Sequence, residues 1–85
     1  MTETEDIKNA VKQFILHEFL PGEDPAELTE TTPLISGGVL DSIGTVKLVM
    51  FIEERFNITL QAHETDREYL DSIAAITSLI ESKKS

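Results

Sequence analysis

The sequence predicts a small all-α protein, a four-helix bundle of three long helices and one short helix. Apolar residues recur at helical spacing in three separate stretches. All three prolines and three of the four glycines fall between residues 21 and 40, which marks a long loop between the first and second helices. No set of stretches in the sequence reads as the paired strands that a β-sheet would need.

The size and composition of the chain limit what it can do. Its 85 residues, 40% of them hydrophobic, are enough for one small domain, predicted to span residues 1–85. Such a domain has no room for a deep pocket with a catalytic apparatus, so we expect no catalytic residues and no enzyme. Because the chain has no cysteine, disulfides and thiolate metal sites are excluded. The sequence also has no metal-ligand cluster or calcium-loop pattern, so we expect no metal site.

The charge is strongly acidic. Sixteen Asp and Glu residues against seven Lys and Arg residues give a net charge of −9. Such a field disfavours nucleic acid and anionic membranes and favours basic protein surfaces. The polar N-terminus lacks the pattern of a signal peptide, and no apolar stretch is long enough to cross a bilayer. We therefore expect a cytoplasmic protein, without membrane or nucleic-acid partners, and a monomer.

The first helix is predicted from one apolar stripe, with a capping box of Thr2 and Glu5 at its start and Pro21-Gly22 at its end. The stripe consists of Ile7, Ala10, Val11, Phe14 and Ile15. In the loop that follows, Asp24-Pro25 can open one short helical turn through Leu28. Leu34 and Ile35 are the expected anchors of this loop on the core.

The second long helix is predicted from about Ser42 to Phe56, with Asp41 as its N-cap. The apolar run at 48–52 would also suit a buried strand. A helix is favoured because the segment is long, has a cap and carries three charged residues before Phe56.

A short third helix is predicted over Thr65–Leu70, because Thr65 and Glu68 fit a capping box. The last helix is expected to start near Asp71-Ser72 and to end with two lysines at its negative pole. One face of it carries Ile73, Ile76, Thr77 and Ile80. The string Leu-Asp-Ser-Ile occurs at 40–43 and again at 70–73, which is too short to indicate a repeat.

The most specific pattern lies between residues 34 and 58. Two glycines at 37 and 38 precede Leu40-Asp41-Ser42-Ile43, and an apolar helix ending in acids and Phe56 follows. This arrangement resembles the signature of acyl and peptidyl (aminoacyl) carrier proteins. The resemblance extends along the whole chain in helix order and loop length, so it implies the small helical bundle of the acyl-carrier-protein family.

The resemblance implies a covalent cofactor on Ser42. Carrier proteins hold acyl or aminoacyl cargo as a thioester on a 4′-phosphopantetheine arm. A magnesium-dependent phosphopantetheinyl transferase installs this arm from coenzyme A, and the resemblance implies that Asp41 helps it. The residues agree, because a serine at a helix start is reachable and the helix dipole there favours a phosphate. Ser72, in the second Leu-Asp-Ser-Ile string, has no glycines before it and is expected to cap a helix without being modified.

The second helix offers a further face, away from the predicted core, where the resemblance places contacts with enzymes. Its members are Ile43, Val46, Lys47, Met50, Glu53 and Glu54. Apolar residues left on a helix surface are typical of a contact face. Half-burial of Val46 and Met50 under the loop is an equally open alternative.

The charges on this helix differ from those of fatty-acid-synthase carriers, which typically have acids where this chain has Gly44 and Lys47. Residues 41–60 carry three acids and two bases, whereas residues 1–30 carry eight acids and two bases. The pattern is more similar to stand-alone aminoacyl carriers, including D-alanyl carriers. We expect loading by an amino-acid-activating adenylation (acyl-activating) enzyme and delivery to a downstream transferase or synthase. The alternatives are a housekeeping fatty-acid carrier and a cofactor-free acidic interaction module.

Overall fold

A computed structural model describes residues 3–84, and these residues form four α-helices and no β-strand. The helices are α1 (Glu3–Phe19), α2 (Ser42–Phe56), α3 (Arg67–Leu70) and α4 (Ile73–Lys84), with 3₁₀ turns at Pro25–Glu27 and Ala62–Thr65. The predicted all-α bundle of three long helices and one short helix is confirmed. The expected cap at Thr2 lies outside the described residues. None of the helices within 3–84 is long and apolar enough to span a membrane.

One apolar core joins all four helices. Helix α4 packs against α1 and α3, and α1 packs against α2. The face predicted for α4 is buried throughout, and the α1 stripe buries Ile7, Val11 and Ile15. Between α1 and α2 the rings of Phe14 and Phe51 stack with their centroids 4.2 Å apart. This stack fixes the position of α2 relative to α1.

Helix α2 begins and ends at the predicted residues, Ser42 and Phe56, and the alternative of a buried strand is wrong. At its end Asn57 adopts the left-handed conformation (φ 55°), and its N–H donates to the Glu53 carbonyl. Toward the core the helix presents Leu48 and Ile52, both fully buried. Gly44 is also buried, and it lies so close to α1 that a Cβ at this position would crowd the Phe19 ring.

Helix α3 starts at Arg67, two residues later than predicted. The Thr65 hydroxyl donates to the Ala62 carbonyl oxygen at 2.7 Å, so it closes the preceding 3₁₀ turn and does not cap α3. The reciprocal bond of a capping box appears one turn earlier, where the Gln61 N–H donates to the Glu64 carboxylate at 2.8 Å. Of the two residues that suggested a helix start, Thr65 therefore stabilises the 3₁₀ turn that precedes α3.

The loop between α1 and α2 is fastened to the core by leucines. Leu28, Leu34 and Leu40 are all at least 98% buried, whereas Ile35 is only partly buried. The predicted role of Leu34 as an anchor of the loop is thus confirmed. The short turn predicted after Asp24 is present as 3₁₀ structure, and the Asp24 carboxylate accepts the Ala26 N–H at 2.9 Å.

Replacing the loop anchor tests this packing. We expect Leu34→Ala to lower the free energy of unfolding by about 2–5 kcal/mol, because it leaves a cavity at a fully buried site. Ile43→Ala, at a residue 69% exposed, is the matched control and should change the free energy by less than about 0.5 kcal/mol. Urea denaturation followed by circular dichroism measures both. Equal, small losses would contradict the anchoring role of Leu34.

Candidate functional site

A tight turn over residues 34–40 leads into the start of α2. The Leu40 N–H donates to the Leu34 carbonyl at 2.9 Å, and the Gly38 N–H donates to that of Ile35 at 3.1 Å. Gly38 has a φ of +83°, which other residues rarely adopt, and a Cβ at Gly37 would overlap the Pro33 carbonyl oxygen. The two glycines are therefore required by the backbone path.

Ser42 is the first residue of α2 and is exposed. Within residues 3–84 its hydroxyl takes part in no side-chain hydrogen bond. The preceding Asp41 caps the helix, because its Oδ1 accepts the Gly44 N–H at 2.6 Å. The Asp41 carbonyl oxygen also accepts the Thr45 hydroxyl at 2.8 Å. The structure thus places Ser42 and Asp41 together, as the sequence predicted, at the positive end of the α2 dipole.

Ser72 occupies a different environment although its sequence neighbours are the same. It is half-buried, and its Oγ accepts the Ala75 N–H at 3.1 Å at the start of α4. Its expected role as a cap is confirmed. Among the described residues the Ser42 hydroxyl has no hydrogen-bond partner, whereas the hydroxyl of Ser72 stabilises its own helix.

The aspartate of this second string holds the loop. Asp71 Oδ1 accepts the N–H groups of Ile35 (2.8 Å) and Ser36 (2.9 Å), and Oδ2 accepts the Ser36 hydroxyl (2.7 Å). The Asp71 carbonyl oxygen accepts the Leu34 N–H at 2.7 Å. The sequence analysis missed this role, although the second Leu-Asp-Ser-Ile string marked the residue.

These hydrogen bonds lower the pKa of the Asp71 carboxyl below its ordinary value. The amide and hydroxyl of Ser36 contribute most, followed by the Ile35 amide and the positive charge of Arg67. Because the pKa is lower in the folded state, the ionised group stabilises the fold at pH values above its unfolded-state pKa. That stabilisation is lost as the pH falls through the lower, folded-state pKa.

The second face of α2 is open to solvent. Ile43, Val46 and Met50 are exposed, at 69%, 58% and 57%. The alternative that Val46 and Met50 are half buried under the loop is therefore wrong. Lys47 and Glu54 are also exposed. Glu53 differs, since it is half-buried and its Oε2 accepts the Leu60 N–H at 2.9 Å.

Beside this face a shallow groove of about 280 Å³ runs between α1 and α2. Apolar side chains and three charged ones line it: Phe14, Glu18, Lys47, Met50, Phe51 and Glu54. The groove is open and shallow, which suits contact with another surface better than enclosure of a small molecule.

This protein has the organisation of a carrier protein. It is a small helical bundle, and its long loop ends in a tight turn that places an exposed serine at a helix start. Comparison with known proteins agrees. Over 63 residues the chain is 41% identical to D-alanyl carrier proteins of two Streptococcus suis strains and 38% identical to that of Streptococcus mutans serotype c. These matches cover 74% of this chain and 76% of each relative.

The chain therefore belongs to the D-alanyl carrier protein family. Carrier proteins hold a group for other proteins and do not transform it themselves, so the chain is not an enzyme. No family model matches it.

The cap that orients the start of α2 can be tested with a built-in control. We expect Asp41→Ala to lower the free energy of unfolding by about 1 kcal/mol, because the Gly44 N–H loses its acceptor. Asp66→Ala should have almost no effect, since Asp66 precedes α3 without a side-chain capping bond. Thermal unfolding measures both variants. Comparable effects of the two substitutions would show that Asp41 does not act as a cap.

Proposed function

We propose that this protein carries an aminoacyl group as a thioester on a 4′-phosphopantetheine arm attached to Ser42. The observation that supports this most directly is the Ser42 hydroxyl at the first residue of α2, which is exposed and has no hydrogen bond to any residue between 3 and 84. The arm supplies the thiol that bears the cargo. The protein supplies a fixed point of attachment and a surface that partner enzymes recognise.

The surroundings of Ser42 suit a phosphodiester. The first amides of an α-helix lack carbonyl partners within it and lie at the positive end of its dipole, which favours an anion. Asp41 engages the Gly44 N–H through one oxygen only, and within residues 3–84 its second oxygen has no hydrogen bond. We infer that this oxygen faces the magnesium ion of the phosphopantetheinyl transferase.

The cargo that the relatives and the charge pattern favour is an amino acid. The relatives are named for a D-alanyl group, which makes D-alanine the first cargo to test. An adenylation enzyme would load the thiol, and a downstream transferase or synthase would receive the aminoacyl group. Because activation and arm transfer use nucleotides and coenzyme A, we propose that loading takes place in the cytoplasm.

We further propose that these partners contact the exposed face of α2. Ile43, Val46 and Met50 provide apolar contact area, and Met50 adapts easily to different surfaces. Lys47 and Glu54 stand beside them and set the charge that a partner must match. Glu53 is the member of the predicted set whose carboxylate already stabilises the chain after α2.

Incubation with coenzyme A, magnesium and a broad-specificity phosphopantetheinyl transferase tests the attachment. Mass spectrometry should show the wild-type protein gaining the mass of one arm. Ser42→Ala should abolish the gain, whereas Ser72→Ala, the control in the second copy of the Leu-Asp-Ser-Ile string, should retain it. An unmodified wild-type protein would favour the cofactor-free interaction module, and modification of the Ser42→Ala variant would place the arm elsewhere.

The class of loading enzyme can be tested through Lys47. We expect the arm-bearing protein to be aminoacylated by a D-alanine-activating enzyme and not to support a fatty-acid ketosynthase. Lys47→Glu should reduce the kcat/KM of aminoacylation roughly tenfold, because it reverses a charge on the contact face. Arg55→Glu is the matched control, since it makes the same charge change on the same helix but outside the proposed contact set. Efficient ketosynthase turnover would instead favour a fatty-acid carrier.

A further inference from the structure

The junction between α3 and α4 is bound to the loop that precedes Ser42. Four hydrogen bonds connect Asp71 to residues 34–36. A further bond joins the first turn of α4 to the same loop, because the Ala74 N–H donates to the Glu30 carbonyl at 3.0 Å. The Asp71 carboxylate binds two amides, and these lie 35 (Ser36) and 36 (Ile35) residues before it in the sequence. One carboxylate thus orders a segment that has no regular secondary structure.

The bound segment is the first half of the turn that presents Ser42. Leu34 and Ile35, whose N–H groups donate to Asp71, offer their carbonyl oxygens to the N–H groups of Leu40 and Gly38. Leu40 is followed directly by Asp41 and Ser42. The Asp71 carboxylate therefore accepts the Ile35 N–H, and the carbonyl of the same peptide group, that of Leu34, accepts the Leu40 N–H. Leu40 is two peptide links from Ser42 at the α2 N-terminus.

We propose that Asp71 is a positioning residue for arm transfer: its carboxylate holds the 34–40 turn so that Asp41 and Ser42 are already arranged for the transferase. The inference rests on the proposed function of Ser42. Asp71 does not touch the reacting atoms, and its own string keeps Ser72 as a helix cap. The two Leu-Asp-Ser-Ile strings therefore serve one site, one supplying the serine and the other holding it.

The expected kinetic effect follows from the ordering of the turn. A transferase that recognises the ordered turn binds more weakly when only a fraction of the molecules presents it, and the apparent dissociation constant rises in inverse proportion to that fraction. Once the carrier is bound, the hydroxyl, its neighbours and the helix dipole are those of the wild-type protein. Loss of the Asp71 carboxylate should therefore raise KM for the carrier and leave kcat nearly unchanged.

The test measures arm transfer from coenzyme A at a temperature where circular dichroism shows every variant to be folded. Asp71→Ala should raise KM for the carrier about tenfold, as expected if about a tenth of the molecules keeps the turn ordered. Hydrogen exchange at the Ile35 and Ser36 amides should accelerate in the same variant while core amides of α1 remain protected. Ser36→Ala, which removes only the partner of Oδ2, should produce a smaller change in the same direction. Asp66→Ala is the matched control and should match the wild type.

Two results would overturn the inference. One is an Asp71→Ala protein with wild-type KM, because arm transfer would then be independent of the carboxylate. The other is an unchanged exchange rate at Ile35 and Ser36, which would show that the carboxylate does not order the turn. A wild-type protein that accepts no arm would instead contradict the proposed function, so the two failures are distinguishable.

Discussion

The site depends on a loop that must be rigid without being helix or sheet. The turn at 34–40 delivers Ser42 to solvent, and its position is set by buried leucines on one side and by the Asp71 carboxylate on the other. Apolar burial supplies attachment but little direction, whereas the hydrogen bonds fix where each backbone group points. The proposed attachment of an arm to Ser42 needs both, because the serine has to remain exposed and yet be found in one place.

The polar side chains of this small domain divide into those that stabilise the fold and those that stay exposed. Ser72, Thr65 and Glu53 use their polar atoms to close helices and turns. In the described part of the chain the Ser42 hydroxyl has no hydrogen-bond partner, and the neighbouring face of α2 leaves Ile43, Val46 and Met50 exposed to water. Exposed apolar side chains that cluster beside one helix start are typical of a surface that other molecules contact. A carrier, whose role is to be recognised in turn by several enzymes, has this use for them.

Much of this could be predicted from the sequence because it depends on local patterns. The span of α2, the Asp41 cap, the capping role of Ser72 and the buried face of α4 all follow from residues within one or two helical turns. The start of α3 was predicted wrongly, since the Thr65 hydroxyl, expected to cap this helix, closes the 3₁₀ turn before it.

The role of Asp71 could not be predicted because its partners are 35 and 36 residues away, and no local rule connects them. The exposure of Val46 and Met50 likewise depended on the path of the loop, which periodicity alone leaves undetermined. The local part of the site was therefore visible in the sequence, and the contacts that hold it in place were not.

The measurement that tests this account most directly is the backbone ¹⁵N order parameter along the unmodified protein. A turn that is held as described should give values of about 0.85 over residues 34–42, equal to those of α1 and α2. Values below about 0.6 over these residues would mean that Ser42 is carried by a flexible loop, and the account would be wrong.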